Sequence, residues 1–148
     1  MPSFEMAARS LKVTPIIAPV HRDVKIETAI IALGREPGGG LVVMPDVFTI
    51  AHRASIILAA AENNVPAAYP QSFFTRDGGL LYYGVDQVDA FHRAASYVDR
   101  ILVRSANPAE LPVQLPTKFE MAVNLQTAKS LGLAVPQSIL LSADEVIE

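Results

Sequence analysis

A carboxylate and a set of aromatic side chains are the residues of this sequence best suited to hold a small molecule, and both recur at the ends of apolar runs. Asp46 closes the run Leu41-Val42-Val43-Met44-Pro45-Asp46. A run apolar at every position reads as a strand buried on both faces of a parallel sheet. Ligands of open α/β sheets bind beyond the carboxyl ends of such strands, where a carboxylate can receive a ligand ammonium in a charge-assisted hydrogen bond. The other reading of Asp46 is a helix cap or a loop turn. Phe48, Tyr69, Phe73, Phe74 and Tyr83 lie near strand ends or in the loops after them. Aromatic rings lining a cleft would stack on an apolar or aromatic solute; the other reading of each is ordinary core. Among these, Tyr69 and Phe73 are placed first, and Gln71 between them supplies a candidate polar contact.

Other chemistries find no footing. There is no cysteine, so disulfides, thiolate nucleophiles and cysteine-based metal sites are excluded. The three histidines, His21, His52 and His92, form no HxH or HExxH pair. His52 and Arg53 fall on the first turn of a helix and His92 on a polar helix face, all expected in solvent. No serine has a G-x-S-x-G setting. Gly38-Gly39-Gly40 precedes a strand, whereas phosphate loops follow one and open a helix. Twelve basic against fifteen acidic residues, a net charge of −3, argue against a nucleic-acid partner. No cofactor or metal and no catalytic activity are expected.

The elements that must position these residues alternate between helical and strand patterns, which implies an α/β domain. With 148 residues, 51% of them hydrophobic, the chain is long enough for one domain with a real core. Helices are expected over 3–11, over 23–34 with Asp23 as cap and Ile26, Ala29, Ile30 and Leu33 on one face, and over 50–63. The longest, over 86–103, carries the stripe Val88, Phe91, Ala95, Val98 and Leu102. Strands are expected at 13–20 (an edge strand, because Pro15 and Pro19 cannot donate), 41–44, 65–69, 80–83 and 119–123. Residues 70–79 read as a loop and 107–116 as an extended connector. Asn124 caps a helix through Leu131, and Ser142-Ala143-Asp144-Glu145 reads as the capping box of a last short helix. No run is long enough to span a membrane, and no signal peptide opens the chain.

Several segments together resemble one family: the run ending in Pro45-Asp46, Val65-Pro66-Ala67-Ala68-Tyr69, Gly78-Gly79-Leu80-Leu81-Tyr82-Tyr83-Gly84-Val85-Asp86, Ala94 through Leu102, and above all the tail. There Pro116-Thr117-Lys118-Phe119-Glu120, Asn124-Leu125-Gln126-Thr127-Ala128-Lys129 and Leu131-Gly132-Leu133 carry the likeness. The chain resembles the ABC-transporter substrate-binding proteins of the type I periplasmic binding fold, in their C-terminal half alone. The resemblance implies a Rossmann-like three-layer sandwich with a mostly parallel sheet, the first strand missing, in a single domain over 1–148 whose tail, 104–148, returns across a hinge. It implies capture of an amino acid or other small organic solute for an ABC permease, in the periplasm; without an export signal the chain as given would stay in the cytoplasm. Tyr83-Gly84-Val85-Asp86 resembles a segment at the family's cleft or hinge, which adds Asp86 to the candidates, with a cap for the long helix as its favoured reading. A missing central strand would leave backbone groups unpaired. Two remedies are expected: direct pairing of 13–20 with 41–44, or a homodimer that fills the gap by strand filling or exchange. A self-associating remnant or interaction domain without ligand is the alternative function.

Overall fold

The computed structural model describes residues 2–148, and the side chains of all of these except 2, 3 and 23. Five strands form one sheet in the order β1-β2-β3-β4-β5, with β1 at Leu41–Val42, β2 at Ala67–Tyr69, β3 at Leu81–Val85, β4 at Phe119–Asn124 and β5 at Glu145–Ile147. Only the β3–β4 pair is antiparallel; the others are parallel. Helices flank the sheet, so the chain is α/β with a mostly parallel sheet. Among the described residues no helix is long and apolar enough to cross a membrane.

The core lies on the sheet face that carries Val43, Ala67 and Tyr69. Helix α1 spans Pro2–Ser10. Helix α2 (Asp23–Gly34) brings Ile26 and Ile30, four residues apart and each 3% exposed, onto the core. Arg22 takes its capping position, and the Asp23 side chain, expected as the cap, lies outside the described residues. The expected helix over 50–63 is two: α3 (Val47–Ala51) and α4 (Arg53–Glu62), separated at His52. Helix α4 buries Ile56, Ile57, Ala59 and Ala60. Gly34 lets the end of α2 come close to the end of α4: a Cβ there would lie 2.8 Å from the Asn63 carbonyl oxygen.

Four expectations are corrected. Residues 13–20 form no strand and do not pair with β1; they run between α1 and α2 without a backbone hydrogen bond over 14–21. Pro15 and Pro19 lack donors, and Ile16 and Ile17 are exposed. Within the presumed loop 70–79, Ser72–Arg76 is a helix, α5, docked by the fully buried Phe74 and Thr75. The capping-box pattern at 142–145 opens no helix. Ser142 instead ends α8 (Gln137–Ser142), and the β-branched Val146 and Ile147 pair with β4 in β5. Asp144 completes that joint: its Oδ2 accepts from the Met121 N–H at 2.9 Å and its own N–H donates to the Met121 carbonyl at 2.8 Å.

The fourth concerns the longest helix. It is α6 (Gln87–Val98) followed by a π turn over Asp99–Val103, and no residue of α6 is buried. Its stripe faces solvent: Val88 is 66%, Phe91 74%, Val98 54% and Leu102 75% exposed. Residues 87–118 form an arm that connects the paired strands β3 and β4.

The base of the arm is tied by charge. Asp86 caps α6, its Oδ1 accepting from the Asp89 N–H at 3.0 Å, while its Oδ2 meets Lys118 Nζ at 2.6 Å and its N–H donates to the Lys118 carbonyl at 3.1 Å. Arg93 reaches both Asp89 Oδ2 at 2.9 Å and Thr117 Oγ1 at 2.6 Å. The Lys118 ammonium and the capping N–H groups hold the Asp86 carboxyl below its ordinary value of 3.8, and Asp86 holds the Lys118 ammonium above 10.5. The depressed Asp86 therefore contributes stability in full above pH 3.8, and loses it as pH falls through its lower folded value. Lys118 contributes in full below 10.5 and loses it as pH rises through its higher folded value. We expect the thermal midpoint of Asp86→Asn to lie below wild type at neutral pH, and the gap to close on acidification below the carboxylate range. A gap independent of pH would mean that the pair contributes through packing alone.

Candidate functional site

The carboxyl edge of β1 and β2 gathers most of the candidate residues. Asp46 follows β1 and caps α3, its Oδ1 accepting from the Phe48 N–H at 2.8 Å. Thr49 Oγ1 donates to the carbonyls of Met44 and Asp46, both at 3.0 Å, which fixes the turn. The cap uses one carboxylate oxygen, and the side chain is exposed. Phe48 is half-buried, its ring 4.0 Å from that of His52, whose Nδ1 lies 2.7 Å from the Phe48 carbonyl oxygen. His52 is thus half-buried, contrary to the solvent position expected for it.

After β2 the chain turns into α5. Gln71 occupies the position before that helix without capping it; its half-buried amide makes no hydrogen bond among the described residues. Phe73 is half-buried and stacks on Phe74 with ring centroids 5.2 Å apart. The Arg53 guanidinium lies 5.5 Å over the Phe73 ring while its Nε donates to Asp77 Oδ2 at 2.6 Å. Arg53 therefore joins this edge through Phe73, a role that its place in a helical pattern did not signal.

Tyr69, placed first among the aromatics, lies in the core at 3% exposure, stacked on Phe74 at 5.0 Å. Burial pushes its hydroxyl up to about 12. A Cβ on Gly79 would sit 2.6 Å from the Tyr69 ring and 2.7 Å from the Phe74 carbonyl oxygen, so only glycine lets the chain pass there.

The remaining candidates sit on β3 and just after it. Tyr83 on β3 is 57% exposed and stacks on Phe119 of β4, centroids 5.8 Å apart and planes 9° from parallel. Register explains the pair: Tyr83 lies opposite Met121 and Val85 opposite Phe119, so the rings meet on the diagonal. Phe119 is the residue that the reading of the sequence missed; alternation in 119–123 placed it on a strand but could not give its partner. Asp86 is 3% exposed and committed to its cap and to Lys118. Among the described residues no group of His, Asp and Glu has the arrangement of a metal site.

A family model described as ABC transporter substrate binding protein matches residues 4–147. The chain belongs to that family. Solved structures of similar shape include a conserved domain protein from Vibrio cholerae, with 20% identity and a TM-score of 0.84 over 99% of this chain and 49% of that one. A second is the ABC domain from Streptococcus pneumoniae in complex with L-Trp, at 20% identity and TM-score 0.84, over 99% and 50%. A third is the ligand-free, open substrate-binding protein with adhesive properties from Clostridium difficile, at 16% and 0.69, over 99% and 48%. This family member thus spans about half the length of those chains. No curated protein sequence matches it. Family and fold are those of solute-binding proteins.

Proposed function

We propose that the chain is the solute-binding component of an ABC importer, or the C-terminal half of one, and that it holds an amino acid or other small organic solute, working outside the cytoplasmic membrane with an ABC permease and without catalysis. The family match over residues 4–147 carries this reading. The carboxyl edge of β1 and β2 supports it chemically. The free Asp46 oxygen suits a ligand ammonium, the unpaired Gln71 amide suits a carboxylate, and Phe48 and Phe73 offer ring surface between them. Tyr83 with Phe119 offers a second aromatic surface at the hinge, and Asp86 serves it as the fixed base of the arm. Tyr69 acts from behind, as core.

A solute held at micromolar strength is bound by about −8 kcal/mol, so a lobe supplying half of it binds near −4 kcal/mol, in the millimolar range. Titration calorimetry of the 148-residue chain with the L-amino acids is expected to find such a millimolar ligand. Asp46→Asn should weaken it about tenfold or more, because a charged hydrogen bond is lost. Asparagine caps helices as well as aspartate does, so α3 keeps its start and the loss reports on charge at the edge. No heat with any amino acid or small organic acid at tens of millimolar would reject this reading. It would favour the second, a self-associating domain without ligand, which the exposed stripe of α6 supports.

A further inference from the structure

Arg53 stands where its charge has no local reason to be. It is the first residue of α4, at the helix end that favours an anion and disfavours a cation. Its guanidinium lies 5.5 Å over the Phe73 ring and meets Asp77 through Nε alone, at 2.6 Å. Its Nη1 and Nη2 make no hydrogen bond among the described residues. Other arginines are used differently. Arg76 sets Nε and Nη2 on the two oxygens of Glu145, at 3.1 and 2.9 Å, and Arg93 divides the same two atoms between Asp89 and Thr117. Arg104 also pairs through Nε, with Asp99, but its side chain is 73% exposed and lies over no ring among the described residues. Asp77 and Phe73 thus hold the plane of the Arg53 fork and leave the edge with its two amino groups open. Both side chains of the Arg53–Asp77 pair are 44% exposed, so that edge can be reached.

We infer that Arg53 takes the carboxylate of the solute, and that the solute is one carrying an ionised carboxylate rather than a neutral molecule or a simple amine. This rests on the solute-binding reading above. The two amino groups of a guanidinium match the two oxygens of a carboxylate, and such charge-assisted bonds are roughly twice as strong as neutral ones. Charge at the edge requires a cation for this task. Asp46 and Asp77 are both anionic, so without Arg53 the edge would repel a carboxylate. Position supports the same assignment. Asp46 and Arg53 are seven residues apart, close to two helical turns. The His52 N–H donates to the Phe48 carbonyl at 3.0 Å and the Ile56 N–H to the His52 carbonyl at 3.1 Å, which carries the helical pattern through the break at His52. Asp46 and Arg53 therefore stand on one side of the α3–α4 pair. A zwitterion can set its ammonium on Asp46 and its carboxylate on Arg53, while Asp77 keeps its bond to Nε. Gln71, two residues before Phe73, is left to add a neutral hydrogen bond.

Nuclear magnetic resonance of the full chain suits millimolar affinities. The Arg53 Nε–H cross-peak, assigned by its loss in Arg53→Gln, is followed with three probes. These are L-phenylalanine, 3-phenylpropanoate (no ammonium) and phenethylamine (no carboxylate). The first two are expected to move the peak and the third to leave it in place. Read on the backbone amides, Arg53→Gln should weaken L-phenylalanine at least about tenfold and leave phenethylamine no weaker. Arg53→Lys, which keeps the charge without the fork, should recover only part of the loss. The ion pair is half-exposed, so both variants should keep wild-type circular dichroism. L-phenylalanine binding wild type and Arg53→Gln alike, or phenethylamine moving the Nε–H peak as far as the two carboxylates do, would overturn the inference and leave the solute-binding reading standing. No resonance moving with any of the three at tens of millimolar would remove both.

Discussion

Replacing Phe74 by alanine is expected to cost about 3–5 kcal/mol of folding stability. Phe74 is 0% exposed and lies between two rings, Tyr69 at 5.0 Å and Phe73 at 5.2 Å. Deleting its ring removes both stacks and leaves a hole, and the cost depends on whether the surroundings can collapse into that hole. Here collapse is resisted. The Tyr69 ring already abuts Gly79, and the Phe74 carbonyl accepts from the Gly79 N–H at 2.7 Å, so wall and backbone are both pinned. A domain of this size is stable by only about 5–15 kcal/mol, so the loss is a large fraction of the total. Urea unfolding followed by circular dichroism measures it, since the chain has no tryptophan. Phe91→Ala, with the ring 74% exposed on α6, is the control and should stay within about 0.5 kcal/mol in the monomer. Equal costs for the two would mean that α5 does not anchor the core.

Legibility followed the range of the forces involved. Local pattern located α2, α4, β3, β4 and the start of α7 (Leu125–Ser130), because Ile26 and Ile30 share one face and Asn124 is a recognisable cap. It also gave both readings of Asp46 and of Asp86, and the structure shows each of them capping its helix. Local pattern failed where a partner distant in the chain decides. Ser72–Arg76 has too few residues to be helical alone and is held by tertiary burial of Phe74. The segment 145–147 turns from helix start to strand because β4 lies beside it. The Tyr83–Phe119 stack depends on register across a 36-residue separation, visible only once β3 and β4 are paired. The α6 stripe is legible in the sequence as apolar but its exposure is not, since amphipathicity states that a helix needs a partner and not where the partner is.

Asn124→Ala is expected to cost about 2–3 kcal/mol, and comparison with Asn124→Ser divides that cost between two jobs. Asn124 ends β4 at 5% exposure. Its Oδ1 accepts from the Thr127 N–H at 3.0 Å and caps α7. Its Nδ2 donates to the Thr75 carbonyl at 3.0 Å, reaching α5 from 49 residues away. Alanine removes both bonds. The Thr75 oxygen keeps only the longer bond from Gly78 N–H at 3.2 Å, and the Thr127 N–H loses its acceptor. Serine preserves a cap but is too short to reach Thr75, so it should cost about 1–2 kcal/mol, the share of a buried donor–acceptor pair. Thr127 Oγ1 donates to Gly78 at 2.9 Å and gives the two elements a second tie, which keeps either variant folded. Equal losses for serine and alanine would show that the cap contributes nothing and that the bond to Thr75 alone joins β4 to α5. A loss confined to alanine would place the whole effect in the cap, and α5 would then be held by Phe74 without help from β4.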